Sequence, residues 1–372
     1  MTFELDPDLI HLNHAAVAPW PRCTREAVEA FAEDNARHGS LHYPHWLTVE
    51  EALRTRLARL INAAPEDIAL LKNTSEALSV VAHGLRWQAG DRVVISNEEF
   101  PSNRIVWESL AEQGVRVTEV DLRQGSSPED ALIAACDDAT RLLSISSVQY
   151  ASGLRLDLAR LGRFCREHDI LFCVDAIQSL GALRLDAPAA HIDFLMADGH
   201  KWLLGPEGLA LFYSHPDARE RLQLRQFGWH MVEIIDFDRR DWQVARSARR
   251  FECGSPNMFG IHALHASVGL LLDTGMATVE RAVLERARRL FQHIADSVHL
   301  ECLTDTRPDR HAGIVLFRHR AVPADRLHAW LMEHRVLCAR RGAGVRFSPH
   351  FHTPLAQLER AVALADACPL ET

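Results

Sequence analysis

No apolar run in these 372 residues approaches the roughly 20 needed to span a bilayer, so no transmembrane helix is expected. The amino-terminal stretch MTFELDPDLIHLNHAA has neither a basic start nor an apolar segment, so no secretory leader is expected. Positive charge is not in excess either. The formal net charge is −9, which argues against a nucleic-acid partner or an anionic membrane surface. Eight cysteines are scattered along the chain and none forms a CxxC pair, so zinc-finger and thioredoxin-like readings lose support and no metal site is expected. Reduced thiols in a cytoplasmic protein are the plainer reading. Repeats, low-complexity tracts and Gly/Ser linkers are missing too. What is present is 47% hydrophobic and 24% charged, the composition of a globular protein with ample apolar surface for a core. The length suits two domains, or one large α/β domain with a smaller satellite.

Short apolar runs alternate with helical stretches. Residues 91–99, 116–122, 141–150, 171–179, 193–201 and 208–215 read as strands, and 107–115 and 157–170 as helices. Strands separated by single helices predict parallel βαβ units with helices on both faces. The runs 193–201 and 208–215 are too closely connected for a helical crossover, so they are expected to pair as an antiparallel hairpin in a mixed sheet. Residues 259–298 read as one long amphipathic helical stretch. Strand, helix, strand and helix then follow, a small α/β domain whose boundary falls near residue 260.

Lys201 lies in MADGHKWLLGPEG, directly before three apolar residues and a Gly-Pro turn. Lysine is strongly hydrated and rarely belongs in such surroundings. It either caps a helix or pairs with a carboxylate, or it is desolvated to form a Schiff base with a carbonyl of pyridoxal phosphate or of a substrate. Twenty-six residues upstream, CVDAIQS puts Asp175 at the end of an apolar strand. Ligands sit at such strand ends in open α/β sheets. A buried aspartate there needs a positive partner or several hydrogen bonds, and a pyridinium nitrogen is such a partner. Gln178 is placed to donate to the ring oxygen of the same group. In LLKNTSEAL, Thr74 and Ser75 sit where a helix start offers free backbone N–H groups to a phosphate, although a plain N-cap explains the same pattern. His200 is a second phosphate donor or a satisfied loop histidine.

Together, NTSEA, VDAIQS, DGHKW and RFECGSPN resemble the class V aminotransferase family of fold-type I pyridoxal-phosphate enzymes. The likeness runs from HLNHAAVAPWP (11–21) to VRFSPHFHT (345–353). It implies a mostly parallel, seven-stranded mixed sheet in a large domain plus a small C-terminal α/β domain. Residues 1–15 would border the active site, 16–260 would form the cofactor domain and 261–372 the small domain. The resemblance makes Lys201 the cofactor-linked lysine, Asp175 the pyridinium partner and Gln178 the ring-oxygen donor. Thr74, Ser75 and His200 match phosphate ligands. Ser255 matches a residue reaching the phosphate of a neighbouring subunit, which implies a homodimer with shared sites. Arg346 matches the arginine that grips the substrate α-carboxylate, and Asn13 and His14 border the substrate.

Three departures from the desulfurase branch stand out. Phe100 occupies the place of a histidine that stacks on the cofactor ring. Asp198 replaces a phosphate-binding serine and is expected to turn away, toward a backbone N–H or His200. The loop RRGAG (340–344) has no cysteine, and the nearby Cys338 lies in a stretch that reads as strand. Lys201, once free, is expected to be the base at the α carbon. The leading expectation is transamination of an amino acid, ahead of β-elimination of cysteine-like or kynurenine-like substrates or epimerisation. A non-enzymatic cofactor-binding protein and a cofactor-free lysine enzyme are the weaker readings. Tyr150, Gln149, Tyr43, His45, Arg340 and Arg341 are further candidates to line the pocket.

Overall fold

The computed structural model describes residues 2–369, so Met1 and residues 370–372, the outer ends of the first and last expected domains, lie outside it. The chain opens with β1 (Ile10–His11), α1 (Arg22–His38) and α2 (Tyr43–Leu60). Near-regular alternation follows: β2 (Ile68–Leu71), α3 (Thr74–Gly84), β3 (Arg92–Ser96), α4 (Ser102–Glu108), β4 (Arg116–Val120), α5 (Pro128–Ala134), β5 (Thr140–Ser146), α6 (Leu158–Glu167) and β6 (Leu171–Asp175). Then come β7 (Phe194–Asp198), β8 (Ala210–Ser214), α7 (Pro216–Arg219), α8 (Met258–Thr274) and α9 (Met276–Asp296). The remainder is β9 (Leu300–Cys302), β10 (Val315–His319), α10 (Ala324–Glu333), β11 (Val336–Leu337), β12 (Ala339–Arg341), β13 (Gly344–Phe347) and α11 (Leu355–Asp366). Among the described residues no helix is long and apolar enough to cross a membrane.

The large sheet has seven strands in the order β2-β8-β7-β6-β5-β3-β4. Only β8 runs against its neighbours, pairing antiparallel with both β2 and β7. The expected hairpin and the mixed sheet are therefore present. All five residues of β6 are buried, as are those of β7, because helices cover both faces. Alternate residues feed two cores. Phe172, Val174 and Leu195 point into one, and Cys173, Phe194 and Met196 into the other. Four antiparallel strands, β12-β13-β10-β9, form the second sheet over its own core. The amino-terminal segment belongs to that layer as well. β1 pairs in parallel with β11, and Asn13 bridges to Ser348.

Two sequence expectations change. The helix expected over 107–115 instead spans Ser102–Glu108 and is followed by a separate short turn at Ala111–Gln113. The left-handed Gly114 (φ 80°) then stops the chain from winding further. The long helical stretch over 259–298 is two helices. Gly275 takes φ 83° and its N–H caps the Leu271 carbonyl at 3.0 Å. A left-handed residue cannot continue an α-helix, and glycine adopts that conformation at little cost. α8 packs against α1 and α2, while α9 carries Val279 and Val283 in the large core and Leu290 and Ile294 in the second.

Candidate active site

The parallel strands deliver their carboxyl ends to one rim of the large sheet. Asp175 ends β6, Asp198 ends β7, and the turn after β5 carries Tyr150. Beyond β7 the chain makes a tight turn through Lys201. Leu204 closes it with a left-handed backbone (φ 60°), its N–H donating to the Lys201 carbonyl at 3.1 Å. That conformation costs a leucine about 1–2 kcal/mol, and the complete burial of its side chain holds it in place. Trp202, directly after Lys201, is equally buried, and its indole donates to Gln178 Oε1 at 2.9 Å. Gly181 must be glycine here, because a Cβ would lie 2.2 Å from the Trp202 carbonyl oxygen.

Lys201 is held without a partner. Among the described residues its amine makes no hydrogen bond or ion pair, and it sits 5.5 Å from the centre of the Phe100 ring. Burial pushes its pKa down to about 8, against an opposing pull from Asp175. Asp175 is 2% exposed, and its Oδ1 accepts the Ile177 N–H at 3.0 Å. Burial raises this carboxyl to about 7, although the Ile177 N–H and Lys201 act the other way. Each group thus lacks the charge-compensating contacts that its burial calls for.

Arg346 enters from β13 and is fully buried. Its guanidinium donates to the Tyr150 carbonyl at 2.6 Å and to Asn13 Oδ1 at 3.4 Å, while Nε has no acceptor. Burial, then the neighbouring Arg341, lowers its pKa to about 9. Phe100 packs edge-on to Tyr150 with ring centres 5.2 Å apart. Lys201, Phe100, Tyr150, Arg346 and Asn13 therefore form one chain of contacts. They come from segments that are far apart in sequence.

At the start of α3, Asn73 is the cap and accepts the Glu76 N–H at 2.9 Å. Thr74 is buried with an unpartnered Oγ1, and Ser75 donates to Ser102 Oγ at 2.8 Å. Asp198 turns as expected toward His200, Oδ1 to Nδ1 at 3.0 Å, but the angles make no hydrogen bond and both atoms remain unpartnered. Gln178 is already engaged, donating to the Ala15 carbonyl at 3.1 Å, which leaves one amide N–H to give. Ser255 is not brought into this cluster. It is exposed and makes no hydrogen bond among the described residues. Tyr43 packs edge-on to Trp46 instead of lining the rim, and His45 sits by Thr48. Cys338 lies between β11 and β12, 4% exposed, with burial pushing its thiol up to about 12, so it is no nucleophile.

His14 is fully buried with its Nδ1 3.0 Å from the Ser348 carbonyl and Nε2 unpartnered. It belongs to a cluster that sequence reasoning missed. Its ring centre lies 4.6 Å from His11, 5.3 Å from His350 and 5.0 Å from His352. Glu99 was missed as well. Its buried carboxylate accepts from Ser96 (2.7 Å), Asn103 (2.8 Å), Ser146 (2.6 Å) and Gln149 (3.1 Å), locking the ends of β3 and β5 beneath the rim. One available signal was passed over. Of 41 basic residues only two are lysines, Lys72 and Lys201, so a lysine in an apolar run stands out in this chain.

A family model described as Aminotransferase class-V matches residues 10–359. A probable cysteine desulfurase of Methanothermobacter thermautotrophicus is 31% identical over 340 residues, covering 90% of this chain and 84% of the relative. The isopenicillin N epimerase of Streptomyces clavuligerus is 29% identical over 386 residues, covering 98% and 96%. A solved complex of a cystine C–S lyase with its product cysteine persulfide superposes with a TM-score of 0.91 at 24% identity, covering 98% of this chain and 99% of that one.

Proposed function

Because the chain belongs to the class V aminotransferase family, we propose that it is a pyridoxal-phosphate enzyme working at the α carbon of an amino acid. The orphaned polar atoms fit that cofactor. Thr74 Oγ1, the free N–H groups at the start of α3, Ser75 and His200 would hold the phosphate. Asp175 would meet the pyridinium nitrogen, Gln178 the ring oxygen, Phe100 the ring face and Lys201 the aldehyde. When bound, the cofactor supplies a sink for negative charge that develops at the substrate α carbon.

The chain's own groups do the rest. Arg346 clamps the α-carboxylate with its bidentate fork and fixes the substrate orientation. Asp175 regains a positive partner and stays ionised. Lys201 removes the α proton and returns it; an amine lowered to about 8 has a usable uncharged fraction near neutral pH. The observation that carries this reading is that the buried Lys201 amine has no acid partner among the described residues and lies within electrostatic reach of both Asp175 and Arg346.

The sequence favours transamination as the outcome. The relatives' names favour C–S cleavage or epimerisation instead, and the lyase or epimerase reading gains weight from them. All three routes begin with the same proton removal. Persulfide-forming desulfuration is the weaker branch, because loop 340–344 has no cysteine. A homodimer with Ser255 reaching a partner's site suits the exposed apolar side chains of the preceding segment, Phe227, Trp229, Ile234, Phe237 and Trp242.

The test is α-proton exchange in deuterated water across the amino acids, with absorbance of the purified protein. Lys201→Ala should remove the yellow chromophore and cut exchange by about a thousandfold or more, whereas Lys72→Ala should keep both. Amine labelling of cofactor-free protein should rise through about pH 8 at Lys201. Keto acid, pyruvate or loss of chirality then separates the three branches. A wild-type protein with no chromophore and no exchange of any amino acid overturns the reading.

A further inference from the structure

We infer that Arg341 reads a second anionic group, so the amino acid taken by this site has a negatively charged side chain. This rests on the reading of the site as an amino-acid enzyme. In the β12–β13 ladder Arg341 stands opposite Gly344, and Arg346 stands opposite Ala339. Opposed residues share a face, and so do residues two apart along a strand. Arg341 and Arg346 are therefore diagonal neighbours on one face, about 7–8 Å apart at the backbone. Gly344 leaves the space opposite Arg341 free of a side chain, and a Cβ there would lie 2.5 Å from the Phe317 carbonyl oxygen.

The two guanidiniums straddle Tyr150. Arg346 takes its carbonyl, and Arg341 lies 5.9 Å from the centre of its ring. Among the described residues neither arginine has a carboxylate partner. Arg341 donates to the Arg340 carbonyl at 2.8 Å, and its Nε is buried without an acceptor, as is that of Arg346. Two like charges are thus held on one face, and Arg341 disfavours the charge on Arg346. The three acids in the adjoining wall are engaged: Asp305 by Arg307 at 3.0 Å, Glu98 by the Ser152 hydroxyl, and Glu99 by Asn103, Ser146 and Gln149. A cavity of about 730 Å³ lined by Tyr150, Ser152, Arg307 and Arg341 adjoins Arg346 through Tyr150 and Arg341 and has room for a side chain. One α-carboxylate would occupy one fork and leave the other unpaired, whereas a dianionic substrate engages both.

The test uses the cofactor-loaded enzyme. Calorimetric titration should find glutarate binding at least about 30-fold tighter than butyrate, and Arg341→Gln should erase most of that ratio. In α-proton exchange, glutamate should exceed its uncharged isostere glutamine by about 100-fold in kcat/KM, through KM, and Arg341→Gln should collapse this preference. A merely structural role would lower both substrates alike. A preference for O-phosphoserine over glutamate identifies a phosphate rather than a carboxylate as the anion and still supports the inference. Equal binding of glutarate and butyrate by the wild-type protein, or exchange of glutamine and alanine on a par with glutamate, overturns it. Those readings need no variant to fold. Tight glutarate binding without exchange of any amino acid keeps the anion site and sinks the enzyme reading instead.

Discussion

Arg54 and Arg346 are both buried, 4% and 0% exposed, yet their surroundings are opposite. Arg54 on α2 is paired with Glu50 at 2.8 Å and with Glu252 at 2.6 Å, and it also donates to the Ile68 carbonyl at 2.8 Å. Burial pulls its pKa down, but Glu252, Glu51 and Glu50 together more than offset this and leave it above the ordinary arginine value. Arg346 has carbonyl and amide oxygens only, and its pKa falls to about 9. A charge fully compensated by the fold has nothing left to offer a ligand. A charge left uncompensated destabilises the empty protein and is poised to bind. The same distinction separates the Glu99 network, fully donated to, from Asp175, which has one backbone donor and is raised to about 7.

The largest effect expected from this contrast is at Arg346. Arg346→Leu should cut kcat/KM by about a thousandfold or more through lost carboxylate binding, while chemical denaturation shows stability unchanged or raised. The sign follows from the pKa. A base lowered from 12.5 to about 9 pays its desolvation penalty at all pH values below about 9, and the leucine removes that penalty. A marked loss of stability in this variant would break the comparison.

Arg54→Leu should behave in the reverse way. It strands Glu252 and Glu50 inside the protein and should cost about 3–5 kcal/mol in the denaturation midpoint. Turnover per folded molecule should change only a few-fold. If activity collapsed while stability held, the assignment of Arg54 to the scaffold would fail.

The smallest effect concerns the histidine cluster, where the buried rings have no carboxylate partner among the described residues and stay neutral. Burial lowers His11 and His350 to about 4 and His352 to about 2, and holds His14 well below its ordinary value. The only cation facing the cluster in these interactions is Arg286, beside His350 and His352, and it deepens the shift. Between the unfolded value of 6.5 and the folded values, the unfolded chain binds more protons, so stability falls as pH drops below 6.5 and is unaffected above it. A histidine that stays neutral in the fold contributes about 2 kcal/mol of that loss at pH 5. His352 stacks on Phe3 at 3.5 Å with both ring nitrogens unpartnered, so His352→Phe should flatten the acid limb of a denaturation series by about that amount. An unchanged acid limb would mean that the ring is already solvated.

Much of the scaffold was legible because its signals are local. Asp175 ends a strand that is apolar throughout, which is how a strand buried on both faces reads. Asn73 before Thr74 and Glu76 is a helix start written in four residues. The break at Gly275 was passed over because the apolar pattern continues across it, and only the backbone angle shows that the helix ends there. β9 escaped because a strand of three residues is too short to show a period of two, whereas the stretch around Cys338 that read as strand is present as β11 and β12. Glu99 carried no signal along the chain because its four donors come from three separate segments.

By itself the sequence determined the alternation of strands and helices, the strand end that carries Asp175 and the apolar setting of Lys201. Periodicity and capping act between residues a few positions apart, so they can be read along the chain. Tertiary structure alone decided that Asn13, Tyr150, Arg341 and Arg346 meet across as many as 333 positions, and that Arg54 is paired while Arg346 is not. Whether a buried charge is compensated depends on register, on packing and on which neighbours displace its water, and none of these is a property of the adjacent residues.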